Sequence, residues 1–380
     1  MPSKKTKAIP PSKLADKLAK HKSELDDAPH LIVQALAGTG KSTTIIEGIK
    51  LLFDMPPSII PSPQQQEIWD SILLSKGKAK SVCFCAFNKS IATELQQRVP
   101  PGCIAQTMHS MGFKAVQAAF GKVQVNQYRV QDIISELLGK DIRDLRKDKF
   151  TMIKAVEELV GLCKQTLTGF ERPKTGIERL DYANYNCQIV WPETLANLAD
   201  YYDVDCNGSS AEIFDLVPQV LERCKDVAKD RCIDFADMVW LPVVLNLSVQ
   251  QYDLLLVDEV QDLAKVQQQL ALKAGKRLIL VGDSRQAIYG WVGADSGSME
   301  RMYDILLDYC RACDGAGTIL GAVCEQCAGK GSEGRGCRVL PLTVTRRCGR
   351  AIVEEAKKIV PNFEWHPNNG EGKVSYARMN

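Results

Sequence analysis

The chain has 380 residues, 45% of them hydrophobic and 25% charged, with a formal net charge of only +2. That length allows two or more domains with sizeable cores, and the near-cancelled charge removes any global field that would argue for nucleic acid. No apolar run is long enough for a membrane span, and Met1–Lys22 carries seven lysines around Pro10 and Pro11 with no signal-peptide core, so the expectation is a cytoplasmic protein with a solvated basic tail and no membrane partner.

Leu31–Leu36 is a continuous apolar run of buried-strand type, and a helix continues from Lys41 to Phe53. Between them the stretch LIVQALAGTGKSTT matches the phosphate-binding loop, except that Ala35 stands where the pattern has its first glycine. Gly38 and Gly40 permit backbone angles that let N–H groups converge on phosphate oxygens, and the following helix adds its positive end. The nucleotide-binding set is therefore Ala37, Gly38, Thr39, Gly40, Lys41, Ser42 and Thr43. Lys41 neutralises the β and γ phosphates of ATP, and the Ser42 hydroxyl ligates Mg²⁺, a hard cation that prefers oxygen. A glycine-containing strand-to-helix turn looks the same in isolation, so the other strand ends must decide.

Met55–Pro63 holds four prolines and reads as a loop. Gln64–Leu74 reads as a helix whose Gln64, Gln65 and Gln66 form a solvated start. Four further runs then repeat the same grammar of apolar strand and polar cluster. They are Ser81–Phe87 ending in Asn88 and Lys89, Cys103–Gln106 ending in Thr107, Met108 and His109, Tyr252–Val257 ending in Asp258 and Glu259, and Arg277–Val281 ending in Gly282 and Asp283. In parallel α/β sheets ligands bind beyond the carboxyl ends of the strands, so all five clusters should converge on one face. Residues 113–247 are too long for a loop and read as an inserted helical subdomain, with helices over Val130–Leu138, Phe150–Leu167 and Ala211–Val227. Within it, Ile233–Leu241, carrying Asp234 and Asp237 near Trp240, offers a candidate site, but an amphipathic helix leading back to the sheet is the default reading. Asp258 at its strand end is placed to hold Mg²⁺, and Glu259 to polarise an attacking water.

With these motifs in order, the chain resembles the N-terminal part of a UvrD/PcrA/Rep-type superfamily 1 DNA helicase. AGTGKST resembles motif I, AFNKSIA (Ala86–Ala92) motif Ia, TMHSMGF (Thr107–Phe113) the next DNA-contact motif, and LVDEVQD motif II. VGDSRQAIYGWVGA (Val281–Ala294) resembles motif III and LTVTRRCGRAI (Leu342–Ile352) motif IV. The resemblance implies a RecA-like P-loop NTPase fold and catalytic roles for Lys41, Asp258, Glu259, Gln286 and Arg347. Gln286 would sense the γ-phosphate and Arg347 would be the arginine finger; Arg346 is the other possible finger, and alignment on Cys348 and Ile352 favours Arg347. Phe87, Tyr289 and Trp291 would stack on bases of single-stranded DNA, with Asn88, Lys89, Thr107 and His109 lining the same track. Read without the motifs, Phe87 and Trp291 are core aromatics and His109 a structural histidine. The tail IYGWVGA is similar to the 3′-to-5′ branch.

Fourteen cysteines without a secretory signal read as reduced thiols plus one metal site. Cys310, Cys313, Cys324 and Cys327 stand in two copies of C-x-x-C-x-G-x-G, resembling the repeats of DnaJ-type chaperones and spaced for tetrahedral Zn²⁺. A structural clip is the default role; DNA contact through Lys330, Arg335 and Arg338 is the alternative.

The expected organisation is an α/β chain. It comprises a basic extension (1–29), a first RecA-like domain in two parts (30–112 and 248–305) around the helical insertion (113–247), a zinc insertion (306–338) and the start of a second RecA-like domain (339–380). Motifs V and VI and an upstream glutamine motif are not evident, so a C-terminal helicase segment or second subunit is the expected partner beside single-stranded DNA. The competing reading is an ATP- and zinc-binding interaction module without movement.

Overall fold

A computed structural model describes residues 28–168, 193–286, 297–307, 318–319, 322–326 and 335–375. The chain divides into a large unit, Leu31–Ile305 with Val339–Asn380, and a small one, Met1–His30 with Leu306–Arg338.

In the large unit, β1 (His30–Ala35) enters the phosphate loop and α1 (Lys41–Leu52), followed by α2 (Pro63–Leu73). Next come β2 (Val82–Ala86), α3 (Lys89–Arg98), β3 (Cys103–Thr107) and α4 (Met108–Phe120). The long middle segment holds β4 (Gln124–Val125), α5 (Arg129–Leu138), α6 (Ile142–Asp148), α7 (Phe150–Thr166), α8 (Glu193–Tyr201), α9 (Ser210–Lys225), α10 (Val227–Asp230), β5 (Cys232–Ile233) and α11 (Asp237–Val244). The chain returns through β6 (Tyr252–Val257), α12 (Lys265–Ala274), β7 (Gly275–Gly282) and α13 (Ser298–Leu307). In the small unit β8 (Thr318–Ile319) and β9 (Ala322–Val323) form an antiparallel pair. The chain then runs into the large unit again through β10 (Cys337–Leu342), β11 (Val344–Thr345), α14 (Arg350–Ala356) and β12 (Glu364–Trp365). Among the described residues no helix is long and apolar enough to cross a membrane.

Six strands make the central sheet in the order β10-β1-β7-β6-β2-β3. The pairs β1–β7, β7–β6, β6–β2 and β2–β3 are all parallel, so the polar clusters after these five strands share one edge. Their apolar runs are covered on both faces: Leu31, Val33, Phe84, Leu254, Leu256, Ile279 and Val281 belong to one buried cluster with Ile45, Ile49, Ile68 and Ile72 of α1 and α2. Near-continuous hydrophobicity is what a parallel strand buried on two faces requires. The helical segment is fastened where α4 crosses α11. A Cβ at Gly112 would lie 2.0 Å from the Met238 carbonyl oxygen, so only glycine permits that approach.

Three local expectations change. The strand expected to open a second domain, β10, is instead an edge of the first sheet beside β1, because Leu340 and Leu342 bury in the same core and the Leu36 N–H donates to the Leu342 carbonyl at 2.9 Å. The start of α2 is not a solvated glutamine run. Gln65 is 2% exposed, and Gln64 exchanges two hydrogen bonds with Thr343. Finally, α11 is buried at every position but Met238 rather than amphipathic, since its Asp237 is ion-paired inside the protein and Val239–Val244 packs on α4 and α12.

Candidate functional site

Ordinary backbone physics builds the phosphate loop. Gly38 and Gly40 take left-handed angles (φ +70° and +81°), and Gly40 caps α1 with no side chain, so the first N–H groups of α1 have no intrahelical partner. Gly38 is required twice over, because a Cβ there would also meet the Arg347 Cβ at 2.7 Å and Thr345 Oγ1 at 2.8 Å. Thr39 closes the loop by donating from Oγ1 to the Leu36 carbonyl at 2.8 Å.

The strand ends bring the acids to this loop. Lys41 Nζ lies 2.6 Å from Glu259 Oε2, and Ser42 Oγ donates to Asp258 Oδ2 at 2.8 Å, across more than 200 residues of chain. Burial, then the neighbouring Glu259, pushes the Asp258 carboxyl up, against the Ser42 hydrogen bond and Lys41 that pull it down. Glu259 is a non-glycine residue at φ +51°, a conformation costing about 1–3 kcal/mol and concentrated at working sites. Gln261 links motif II to motif III, donating from Nε2 to Glu259 Oε2 at 2.8 Å and accepting from the Asp283 N–H at 3.0 Å. Gln286 ends the short turn after β7, its N–H on the Asp283 carbonyl at 2.9 Å.

The donor set fits Mg²⁺. Ser42 Oγ and Asp258 Oδ2 offer two adjacent hard oxygens, the pattern of a cation completed by phosphate and water rather than by an all-protein cage. Among the described residues no group of three or more His, Cys, Asp or Glu is arranged to hold a metal. Cys310, Cys313 and Cys327, like Tyr289 and Trp291, lie outside the described residues; Cys324 is buried.

Phe87, Asn88, Lys89, Thr107 and His109 line one groove of about 1140 Å³ beside the same sheet edge. Phe87 is 40% exposed, so it is not a core aromatic. Asn88 and Thr107 also cap helices, accepting from the N–H groups of Ile91 at 2.9 Å and Ser110 at 3.1 Å. The opposite wall is one that sequence reasoning missed. Phe235, 60% exposed, stacks on His109 with ring centroids 4.1 Å apart, and Gln165 and Gln267 complete the lining. Burial pushes the His109 imidazole down to about 4, so it is neutral at physiological pH. The signal for Phe235 was its position between Asp234 and Asp237, where an aromatic beside two acids at a helix start is tied down on both sides.

Residues 19–305 match the UvrD/REP helicase N-terminal domain. The chain belongs to the UvrD/REP helicase family. Among curated relatives, a probable DNA helicase II homolog of Mycoplasma genitalium is 22% identical over 277 residues, covering 70% of this chain and 35% of that protein. The ATP-dependent DNA helicase PcrA of Leuconostoc citreum is 34% identical over 203 residues, covering 45% and 26%, and PcrA of Staphylococcus aureus 34% over 82 residues, covering 19% and 11%. The chain thus spans about a third or less of the length of these relatives. Within this UvrD/REP member, motif I, motif II and the start of motif III meet on one edge, and residues of the AFNKSIA and TMHSMGF stretches line the adjacent groove.

Proposed function

We propose that this chain is the nucleotide-binding part of an ATP-dependent single-stranded DNA translocase moving 3′ to 5′. The observation that carries the reading is the meeting of Lys41 with Glu259 and of Ser42 with Asp258 at the mouth of a phosphate loop. Lys41 would leave Glu259 for the β and γ phosphates of ATP, and Glu259, released, would accept the proton of the water that attacks the γ-phosphorus. Ser42 and Asp258 would hold Mg²⁺, which would supply charge neutralisation at the phosphates. Gln286 and Arg347 would read the terminal phosphate, and a C-terminal helicase segment, on this or another polypeptide, would supply motifs V and VI. The groove of Phe87, Lys89 and Phe235, together with Tyr289 and Trp291, would take successive bases by stacking. The cysteine pairs would hold Zn²⁺ as a clip, and one zinc per chain by elemental analysis, reduced by Cys313→Ser, is the expected result.

The test is ATP hydrolysis with and without single-stranded DNA, in the presence of a C-terminal segment carrying motifs V and VI. Stimulation by DNA that Lys41→Ala abolishes is expected. Tight ATP binding without turnover would instead favour an interaction module.

A further inference from the structure

Sequence alone gives α2 no task, yet its first turn is wired into the phosphate loop. Gln65 Nε2 donates to Thr44 Oγ1 at 2.9 Å, and the Thr44 hydroxyl donates to the Gly40 carbonyl at 3.0 Å. On its other side Gln65 Oε1 accepts from Arg346 Nη2 at 3.0 Å, and the Arg346 backbone N–H donates to the Gly38 carbonyl at 2.8 Å. These four hydrogen bonds link two loop carbonyls to one glutamine through Thr44 and Arg346. The glutamine is itself fixed: the Ser62 N–H donates to Gln65 Oε1 at 3.0 Å in a capping box, and Trp69 on the same helix donates from Nε1 to the Thr44 carbonyl at 2.8 Å. One residue earlier, Gln64 holds Thr343 at both its N–H and its hydroxyl, each at 2.9 Å. The segment carrying Arg346 and Arg347 is therefore gripped from α2 at two points, and Arg347 is left with its Cβ over Gly38.

We propose that Gln65 is a positioning residue for the arginine pair. Through Arg346 it fixes Arg347 over the phosphate loop, and so sets how strongly the site prefers ATP to ADP. The inference rests on the ATP-site reading above. Only ATP carries the phosphate that Arg347 would meet, so a loosened segment loses ATP affinity and leaves ADP affinity in place. Gln65→Glu keeps the oxygen that receives Arg346 and the Ser62 N–H; Gln65→Ala removes it.

The experiment is titration of the full chain with fluorescent ATP and ADP analogues in Mg²⁺. Gln65→Ala is expected to reduce the ATP-over-ADP preference about tenfold, the size of one charge-assisted hydrogen bond, with ADP affinity unchanged. Gln65→Glu should retain the preference, and Gln66→Ala, on the exposed side of the same turn, should match the unmodified chain. Arg346→Ala, which truncates an exposed side chain, should reproduce the loss, and adding Gln65→Ala to it should lose nothing more. An unmodified chain that shows no preference, or a Gln65→Ala chain that weakens ATP and ADP equally or neither, overturns the inference while leaving nucleotide binding intact. A chain that binds neither nucleotide overturns the ATP-site reading itself.

Discussion

Among the described residues two clusters set a lysine against two carboxylates, and they differ in how their charges are balanced. In the helical segment Lys164 lies 2.5 Å from Asp234 and 2.8 Å from Asp237, and Arg129 reaches Asp237 at 2.6 Å. The two aspartates also exchange backbone hydrogen bonds, so two cations meet two anions with every side chain buried or nearly so. Burial acts to lower the Lys164 ammonium's pKa, but Asp234 and Asp237 hold it well above its ordinary value. At the phosphate loop Lys41 pairs with Glu259 and its charge acts on Asp258, with no second cation paired to either acid among the described residues, and the Glu259 side chain is 34% exposed. The closed cluster has its charges matched by its own residues; the open one carries one acid too many for its lysine, and that surplus suits an incoming cation bound to phosphate.

Exchanging the two lysines is the sharpest way to break this comparison. Lys164→Met leaves the buried Asp234 without its cation and Asp237 with Arg129 alone, and should cost about 3–5 kcal/mol in urea unfolding. Lys41→Met should change stability by no more than about 1 kcal/mol, because its partner is partly solvated, while abolishing nucleotide binding. Equal losses of stability in the two variants would mean that both clusters are structural. Next, Glu259→Gln should keep ATP binding and slow turnover about 10²–10⁴-fold in a hydrolysis assay, the ordinary contribution of a general base.

The pH dependence separates the clusters further. The folded Asp234 carboxyl lies below its ordinary value, since the nearby Lys164 charge and hydrogen bonds outweigh burial, so its stabilisation is present above about pH 4 and is lost only in stronger acid. Lys164, raised, loses its contribution only at strongly alkaline pH. The group that acts between them is His109, pushed from 6.5 down to about 4 by burial. Between those values the unfolded chain binds more protons, so stability should fall by about 3 kcal/mol as pH drops from 6.5 to 4. His109→Phe keeps an aromatic against Phe235 and should flatten that slope in unfolding curves recorded across the same range.

The five parallel strands and their polar ends were legible because each is an apolar run closed by chemistry-bearing residues, and strand grammar survives without knowing the neighbours. Lys41, Ser42, Asp258 and Glu259 could be paired from that grammar alone. Gln65 could not, although Ser62-x-x-Gln65 is a capping-box pattern in plain sight. Its burial depends on Thr44 and on Arg346, which is 281 residues away along the chain. Asp234 and Asp237 failed for the same reason: periodicity reads a charge as solvent-facing, and only the tertiary arrival of Lys164 and Arg129 makes a buried one affordable. The β10 edge was misassigned because Leu340 and Leu342 pack equally well, on paper, against any sheet.

The smallest effects test whether the groove belongs with the open cluster or the closed one. Asn88→Ala removes the cap of α3 and should cost about 1 kcal/mol of stability whatever the groove does. Phe235 is different, because its ring is 60% exposed and its neighbours Asp234 and Asp237, not the ring, anchor the turn. Phe235→Ala should therefore leave the unfolding midpoint within error and weaken binding of a short single-stranded oligonucleotide by about 1–3 kcal/mol, the value of one stacked base. If the midpoint falls and oligonucleotide affinity does not, Phe235 is a packing residue, and the clamp formed by Lys164, Asp234 and Asp237 serves only the fold.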